Sequence, residues 1–173
     1  MSDEIEIRPI SERDSATILA MHKAAFGPGR FARTAYRIRE GTPPVTPYCR
    51  AAFIGSSLVA ALRFTPVTIG GTSGALLLGP VAVDLAYKGR GHGGTLIARS
   101  IADAGKAGIR LVLLVGDLPY YGRFGFKAVP PGQIKLSGPV NPARLLALEL
   151  EDGALADYHG LVVAAALPSK MRP

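Results

Sequence analysis

The block from residue 75 to residue 115 constrains this chain most, because two apolar runs there enclose a glycine-rich segment and an amphipathic one. Residues 75–83 are apolar almost throughout and residues 111–115 entirely so, which is how a strand buried on both faces reads. Between them, Leu96, Ile97, Ile101 and Ala104 recur at helical spacing, and Gly105 and Gly108 mark the stop. A strand, a crossover helix and a second strand form a right-handed parallel unit, so the block predicts an α/β domain with layers on both sides of a sheet. Gly79-Pro80 breaks the first run. Proline cannot donate to a strand ladder, so the pair predicts a bulge or a place where pairing is broken.

The flanking segments read differently. Ile5, Ile7 and Pro9 alternate as a short strand, and Ser11 with Asp14 resembles a capping box opening a helix to about Phe26, with Ile18, Leu19, His22 and Phe26 on its inner side. Gly27-Pro28-Gly29 interrupts, a second helix runs from about Arg30 to Glu40, and a proline-rich loop follows over residues 43–47. Residues 50–54 and 58–65 are two strands joined at Gly55-Ser56-Ser57, with another reversal at Gly70-Gly71, so this part is antiparallel. Residues 120–124 predict a short helix and 126–129 a further strand; residues 145–150 and 161–166 are strand or helix candidates. At 173 residues, without repeats or a linker, the chain predicts one domain over 1–173, with 130–173 a C-terminal extension of it.

Composition narrows the classes. A 48% apolar content with 19% charged residues predicts a packed core rather than disorder. No apolar stretch of the sequence approaches the length, roughly 20 residues, that spans a bilayer as a helix. The acidic start, Met1-Ser2-Asp3-Glu4, is unlike a signal peptide, so a cytoplasmic location is expected. The single cysteine, Cys49, allows no internal disulfide and reads as a small buried strand residue; no metal site is expected. A formal charge of +7 favours anionic partners. Aromatics are sparse at 7%, however, and no nucleic-acid motif is present. Neither nucleic acid nor a membrane is expected as a partner.

Lys88-Gly89-Arg90-Gly91-His92-Gly93-Gly94 lies between the apolar strand and the amphipathic helix. Glycines let backbone N–H groups approach a ligand, and a helix start adds positive dipole, a combination suited to phosphate. Residues 89–94 also satisfy G-x-G-x-x-G, so an NAD(P)-dependent oxidoreductase is one alternative. Such a site needs the motif directly after a first strand in a doubly wound sheet, whereas residues 84–88 separate Val83 from Gly89. A Walker A ending is absent.

Here the sequence resembles the GNAT acetyltransferase superfamily, whose signature is Gln or Arg, two residues, Gly, one residue, then Gly or Ala. Lys88, Gly91 and Gly93 occupy those places, with lysine supplying a cation without guanidinium geometry. Tyr121-Gly122-Arg123-Phe124-Gly125-Phe126 resembles the family's Tyr-x-x-x-Gly-Phe segment. The similarity covers residues 4–129, and residues 26–41 with the tail are similar to a bacterial branch of predicted acetyltransferases. Leu85 stands where many members have proline, and the asparagine often preceding the tyrosine segment has only an offset Asp117 nearby.

The resemblance implies a single mixed α/β GNAT domain with a central twisted mixed sheet and an acetyl-CoA-binding βαβ unit. It implies direct acetyl transfer to a primary amine, a small molecule or peptide, without a metal; a homodimer is allowed. Lys88, Gly89, Arg90, Gly91, His92, Gly93 and Gly94 would hold pyrophosphate. Backbone groups of Val81, Ala82 and Val83, freed by the Gly79-Pro80 bulge, would bond the pantetheine arm and polarise the thioester. Tyr121 would protonate the departing thiolate. Asp84, His92, Asp117 and His22 can each be nominated as a base, and none stands out. Arg30, Arg33, Arg37 and Arg39 read as a solvated helix face, with an acceptor pocket for an anionic substrate as the alternative. A non-catalytic acyl-CoA-sensing module is the other alternative.

Overall fold

The computed structural model describes residues 4–26 and 34–165. Four helices are seen among them, α1 (Ser15–Phe26), α2 (Thr34–Arg39), α3 (His92–Lys106) and α4 (Leu118–Tyr121). Strands β1 (Ile5–Pro9), β2 (Arg50–Ile54), β3 (Ser57–Ile69), β4 (Thr72–Val83) and β5 (Leu111–Val115) are followed by β6 (Lys127–Ala128), β7 (Ile134–Lys135), β8 (Leu145–Glu149) and β9 (Gly160–Ala164). The sheet runs β1-β2-β3-β4-β5-β8-β6, antiparallel except where β4 lies parallel to β5. This is the expected mixed sheet around one crossover unit, and not the doubly wound parallel sheet that a dinucleotide site requires.

The period-2 alternation of strands explains why the two apolar runs are buried throughout. Leu76, Leu78, Val112 and Leu114 face α3, where Leu96, Ile97 and Ala104 meet them. Ala75, Leu77, Leu111 and Leu113 face the other side, against Ile38 of α2 and Tyr158 of the tail. The two tail candidates prove to hold strands over their described residues: β8 pairs with β5, and β9 pairs with the far end of β3. Tyr158 is fully buried and its hydroxyl donates to the Ser73 carbonyl at 2.6 Å.

Some expectations are corrected. Ser11 and Asp14 do close on each other, the Ser11 N–H donating to Asp14 Oδ2 at 3.0 Å, but they open one 3-10 turn before α1. Ile18 and His22 are half-buried, Ile18 against the core, but Leu19 is 59% exposed while Met21 of the same helix is buried, so Leu19 does not belong to the inner side of α1; the Phe26 side chain lies outside the described residues. Part of the second helix, with Arg30 and Arg33, lies outside the described residues. Cys49 is buried as expected, but in the loop before β2.

Tyr158 predicts how firmly the tail is held. Tyr158→Phe leaves the Ser73 carbonyl without its donor and should cost about 1 kcal/mol. Tyr158→Ala empties a fully buried site and should cost about 3–5 kcal/mol. Urea unfolding of both variants checks this, and an alanine variant as stable as the parent would contradict the burial.

Candidate active site

The pairing of β4 with β5 covers only Ala75, Leu76 and Leu77 against Leu111, Val112 and Leu113. Beyond Leu77, β4 turns away. On its other side β4 stays with β3, but the register slips: Phe64 faces Leu78, whereas Leu62 faces Val81. Arg63 alone therefore stands opposite Gly79 and Pro80, which is the bulge that the sequence predicts. Gly79 has φ +125°, a region closed to most side chains. A β-carbon there would lie 2.8 Å from the Arg39 guanidinium. That guanidinium comes from the end of α2, is buried, and donates to the Leu78 carbonyl at 3.4 Å. Val81, Ala82 and Val83 consequently pair with Leu62, Ala61 and Ala60 along one edge, while no strand among the described residues pairs with the other.

Past Val83, the Asp84 carboxylate accepts from the Ala86 N–H at 2.9 Å and caps a 3-10 turn, Leu85–Tyr87. Lys88, Gly89 and Arg90 lead from it to Gly91, whose φ of +81° starts α3 with no side chain capping it. The first N–H groups of a helix have no intrahelical acceptor. Those of the His92, Gly93 and Gly94 turn therefore face outward as donors at the positive end of a 15-residue helix. The loop folds back on the strand: Val83 Cγ2 lies 3.1 Å from a β-carbon built on Gly93. The Arg90 guanidinium lies 5.3 Å from the Tyr87 ring centre, and the Tyr87 and His92 rings are 6.3 Å apart.

Tyr121 ends α4 and packs edge-on against Tyr120, at 4.9 Å between ring centres, and Phe126, at 5.9 Å. Burial, reinforced by Tyr120 and Asp117 and opposed by Arg144, holds its phenol above the ordinary 10.0. The ring lies so close to the end of β5 that a β-carbon on Gly116 would sit 2.6 Å from Tyr121 Cε2. Arg123 stacks over Tyr120 at 4.1 Å and reaches within 3.7 Å of a β-carbon on Gly94, adding a cation beside the α3 start. The sequence by itself assigns no role to Arg123, Gly116 or Arg63, and it places Arg39 on a helix face that is either solvated or lines an acceptor pocket. Only Arg123, inside a recognised motif, carried a local signal.

On the α1 side, a cleft of about 170 Å³ opens at Pro80. Ile18, Leu19 and His22 of α1 line it together with Val45 and Arg63. Of the nominated bases, His22 lies in this cleft and His92 in the first turn of α3, whereas Asp84 caps its turn and Asp117 pairs with Arg144 at 3.4 Å. Arg37 is exposed and Arg39 buried, so the two share no solvated face. Among the described residues no cluster of three or more His, Cys, Asp or Glu is placed to hold a metal, and no helix is long and apolar enough to cross a membrane.

A mixed sheet parted beside an uncapped helix start is the architecture of acyl-CoA-binding transferases, and comparison with known proteins agrees. Residues 6–129 match the family described as acetyltransferase (GNAT) domain. Over 106 residues the chain is 27% identical to the N-acetyltransferase YhbS of Escherichia coli K12, covering 61% of this chain and 64% of that one. The matched segment thus spans just under two thirds of that relative. The crystal structure of E. coli YhbS in complex with CoA superposes with a TM-score of 0.75 at 23% identity, over 95% of this chain and 92% of that one. A GNAT family acetyltransferase from Brucella melitensis, in complex with acetyl-CoA, is 32% identical with a TM-score of 0.62, over 85% of this chain and 97% of that one. The chain belongs to the GNAT acetyltransferase family.

The close approach at Gly116 makes a prediction. Gly116→Ala must displace the Tyr121 ring or the end of β5, and should cost about 1–3 kcal/mol as overpacking does. Chemical denaturation measures the cost and near-UV circular dichroism the altered tyrosine packing. A variant with unchanged stability and spectrum would contradict the contact.

Proposed function

We propose that this protein transfers the acetyl group of acetyl-CoA directly to a primary amine. The reading is carried by the unpaired edge of residues 78–83 standing next to the uncapped start of α3. One offers peptide hydrogen bonds to an extended amide-bearing arm, the other a cluster of N–H donors to pyrophosphate. The family relation supports it, as do the CoA and acetyl-CoA bound to the two solved relatives.

In this reading Gly89, Gly91, His92, Gly93 and Gly94 present backbone donors to the pyrophosphate, and Lys88 and Arg90 add charge. Val81, Ala82 and Val83 bond the pantetheine amides, and one of their N–H groups polarises the thioester carbonyl. The amine enters by the cleft at Pro80. Its nitrogen attacks the carbonyl carbon, a C–N bond forms, and the tetrahedral intermediate collapses with loss of the C–S bond. Tyr121 gives its hydroxyl proton to the thiolate, and the nitrogen loses a proton to solvent. A phenol held above its ordinary value remains protonated at neutral pH, the form an acid needs.

Calorimetry with acetyl-CoA tests the donor. The parent should bind and Gly91→Asp should not, since a carboxylate at the helix start repels phosphate. An L-residue also resists the φ of +81° found at this position. Equal binding by both would remove the loop from the assignment.

Tyr121→Phe tests the acid. It should lower kcat about 10²-fold while leaving acetyl-CoA affinity nearly unchanged. Parental kcat should fall only at alkaline pH, above the ordinary tyrosine value of 10.0, as the phenol ionises, and the variant should lack that limb. A folded variant with parental kcat would exclude Tyr121. Acetyl-CoA binding without turnover of any amine would favour a sensing module.

A further inference from the structure

The cleft at Pro80 has a composition that the transfer reading does not explain. Its wall is mainly apolar, and Leu19, a large aliphatic residue 59% exposed on α1, stands in it. An aliphatic side chain left in water beside a concave apolar wall offers area for another apolar group to cover. Among the described residues, the side chains with charge or a titratable imidazole that line the cleft are His22 of α1 and Arg63 of β3. Val45 and Pro80 add no charge, and among the described residues no aspartate or glutamate lines the wall.

Arg63 is fixed. Its Nη2 donates to Thr42 Oγ1 at 2.7 Å and to the Pro43 carbonyl at 3.2 Å, and it occupies the β3 side of the bulge from which the donor strand departs. A guanidinium held there acts on an incoming ammonium in a definite direction. A like charge disfavours the protonated amine, so its proton leaves more readily and the neutral nucleophile is favoured. No carboxylate base is then needed at the wall. An acceptor with several ammonium groups would keep its remaining charges beside Arg63 with no lining carboxylate to receive them.

We propose that the acceptor is a compact monoamine on an apolar body, bound as the free base, and that Arg63 and Leu19 are specificity-determining residues for it. The inference rests on the acetyl-transfer reading and fixes the chemistry of its second substrate. It disfavours polyamines and other polycationic acceptors.

The experiment follows free CoA release from the full chain with 2-phenylethylamine and isoamylamine against spermidine and a lysine-rich peptide, with acetyl-CoA binding measured in parallel by calorimetry. The apolar monoamines should show kcat/KM at least about tenfold above spermidine, the scale on which an apolar pocket discriminates. Arg63→Gln would also disturb Thr42, so Leu19→Glu, at an exposed position, is the decisive variant. It should leave acetyl-CoA binding unchanged, raise kcat/KM for spermidine about threefold to fivefold, and lower it for the apolar amines. Failure of acetyl-CoA to bind would overturn the donor reading. With acetyl-CoA bound, spermidine ranking first, no tested amine being consumed, or a ranking unmoved by Leu19→Glu would each overturn the acceptor assignment.

Discussion

The hydrogen-bond ladder between β4 and β5 ends at Leu77 and Leu113, and the proposed chemistry depends on where it ends. A parallel pair that continued to Val83 would satisfy the backbone of residues 78–83 internally and close the sheet. The bulge at Gly79 and Pro80 prevents that closure, because it inserts an extra residue on β4 relative to β3 and swings the strand aside. Arg39 braces the turn from behind, its guanidinium lying where a side chain on residue 79 would have to go. The loop from Asp84 to Gly91 then begins from a strand already aimed away from β5. The start of α3 is brought to the same opening.

Charge is distributed in a way that complements this opening. Arg110 is paired with both Glu151 and Asp157, which hold its pKa above the ordinary value, and Arg50 is paired with Asp103. These pairs fasten the tail and α3 to the sheet. Lys88, Arg90 and Arg123 form no salt bridge with a carboxylate among the described residues, and Arg90 and Arg123 flank the first turn of α3. Arg90 and Arg123 thus place positive charge beside the uncapped start of α3.

Much of the fold was legible because its signals are local. Two apolar runs, an amphipathic segment between them and glycine at each reversal suffice to place β4, α3 and β5, and Gly79-Pro80 announced the bulge by violating the strand pattern it sits in. The family motifs put Tyr121 and the 88–94 loop in register. The rest depended on pairings that sequence spacing does not encode. Leu19 has the periodicity of a core residue, yet a helix does not record which of its sides meets a cleft. Arg39 reads as part of a solvated helix face and Arg63 carries no signal of its own; the two are distant in sequence, and only the slip between β3 and β4 brings them to opposite sides of one bulge. The strand character of residues 160–164 follows from the far end of β3, an element from the first half of the chain.

β3 has a divided edge. Its first half is taken by β2, up to Leu62, and its last residues by β9, from Val67. Between the two lies a seam that neither strand covers, and the chain from Thr42 to Cys49 plugs it: Thr46 Oγ1 donates to the Phe64 carbonyl at 2.9 Å, and Arg63 reaches out to Thr42. The plug includes Val45, part of the cleft wall at Pro80, whereas β4 lies across β3 on its opposite edge. Under the proposed function, changes in the length or sequence of this plug would reshape the room for the amine while leaving the thioester's surroundings intact, so that a single scaffold could exchange one substrate and keep the other.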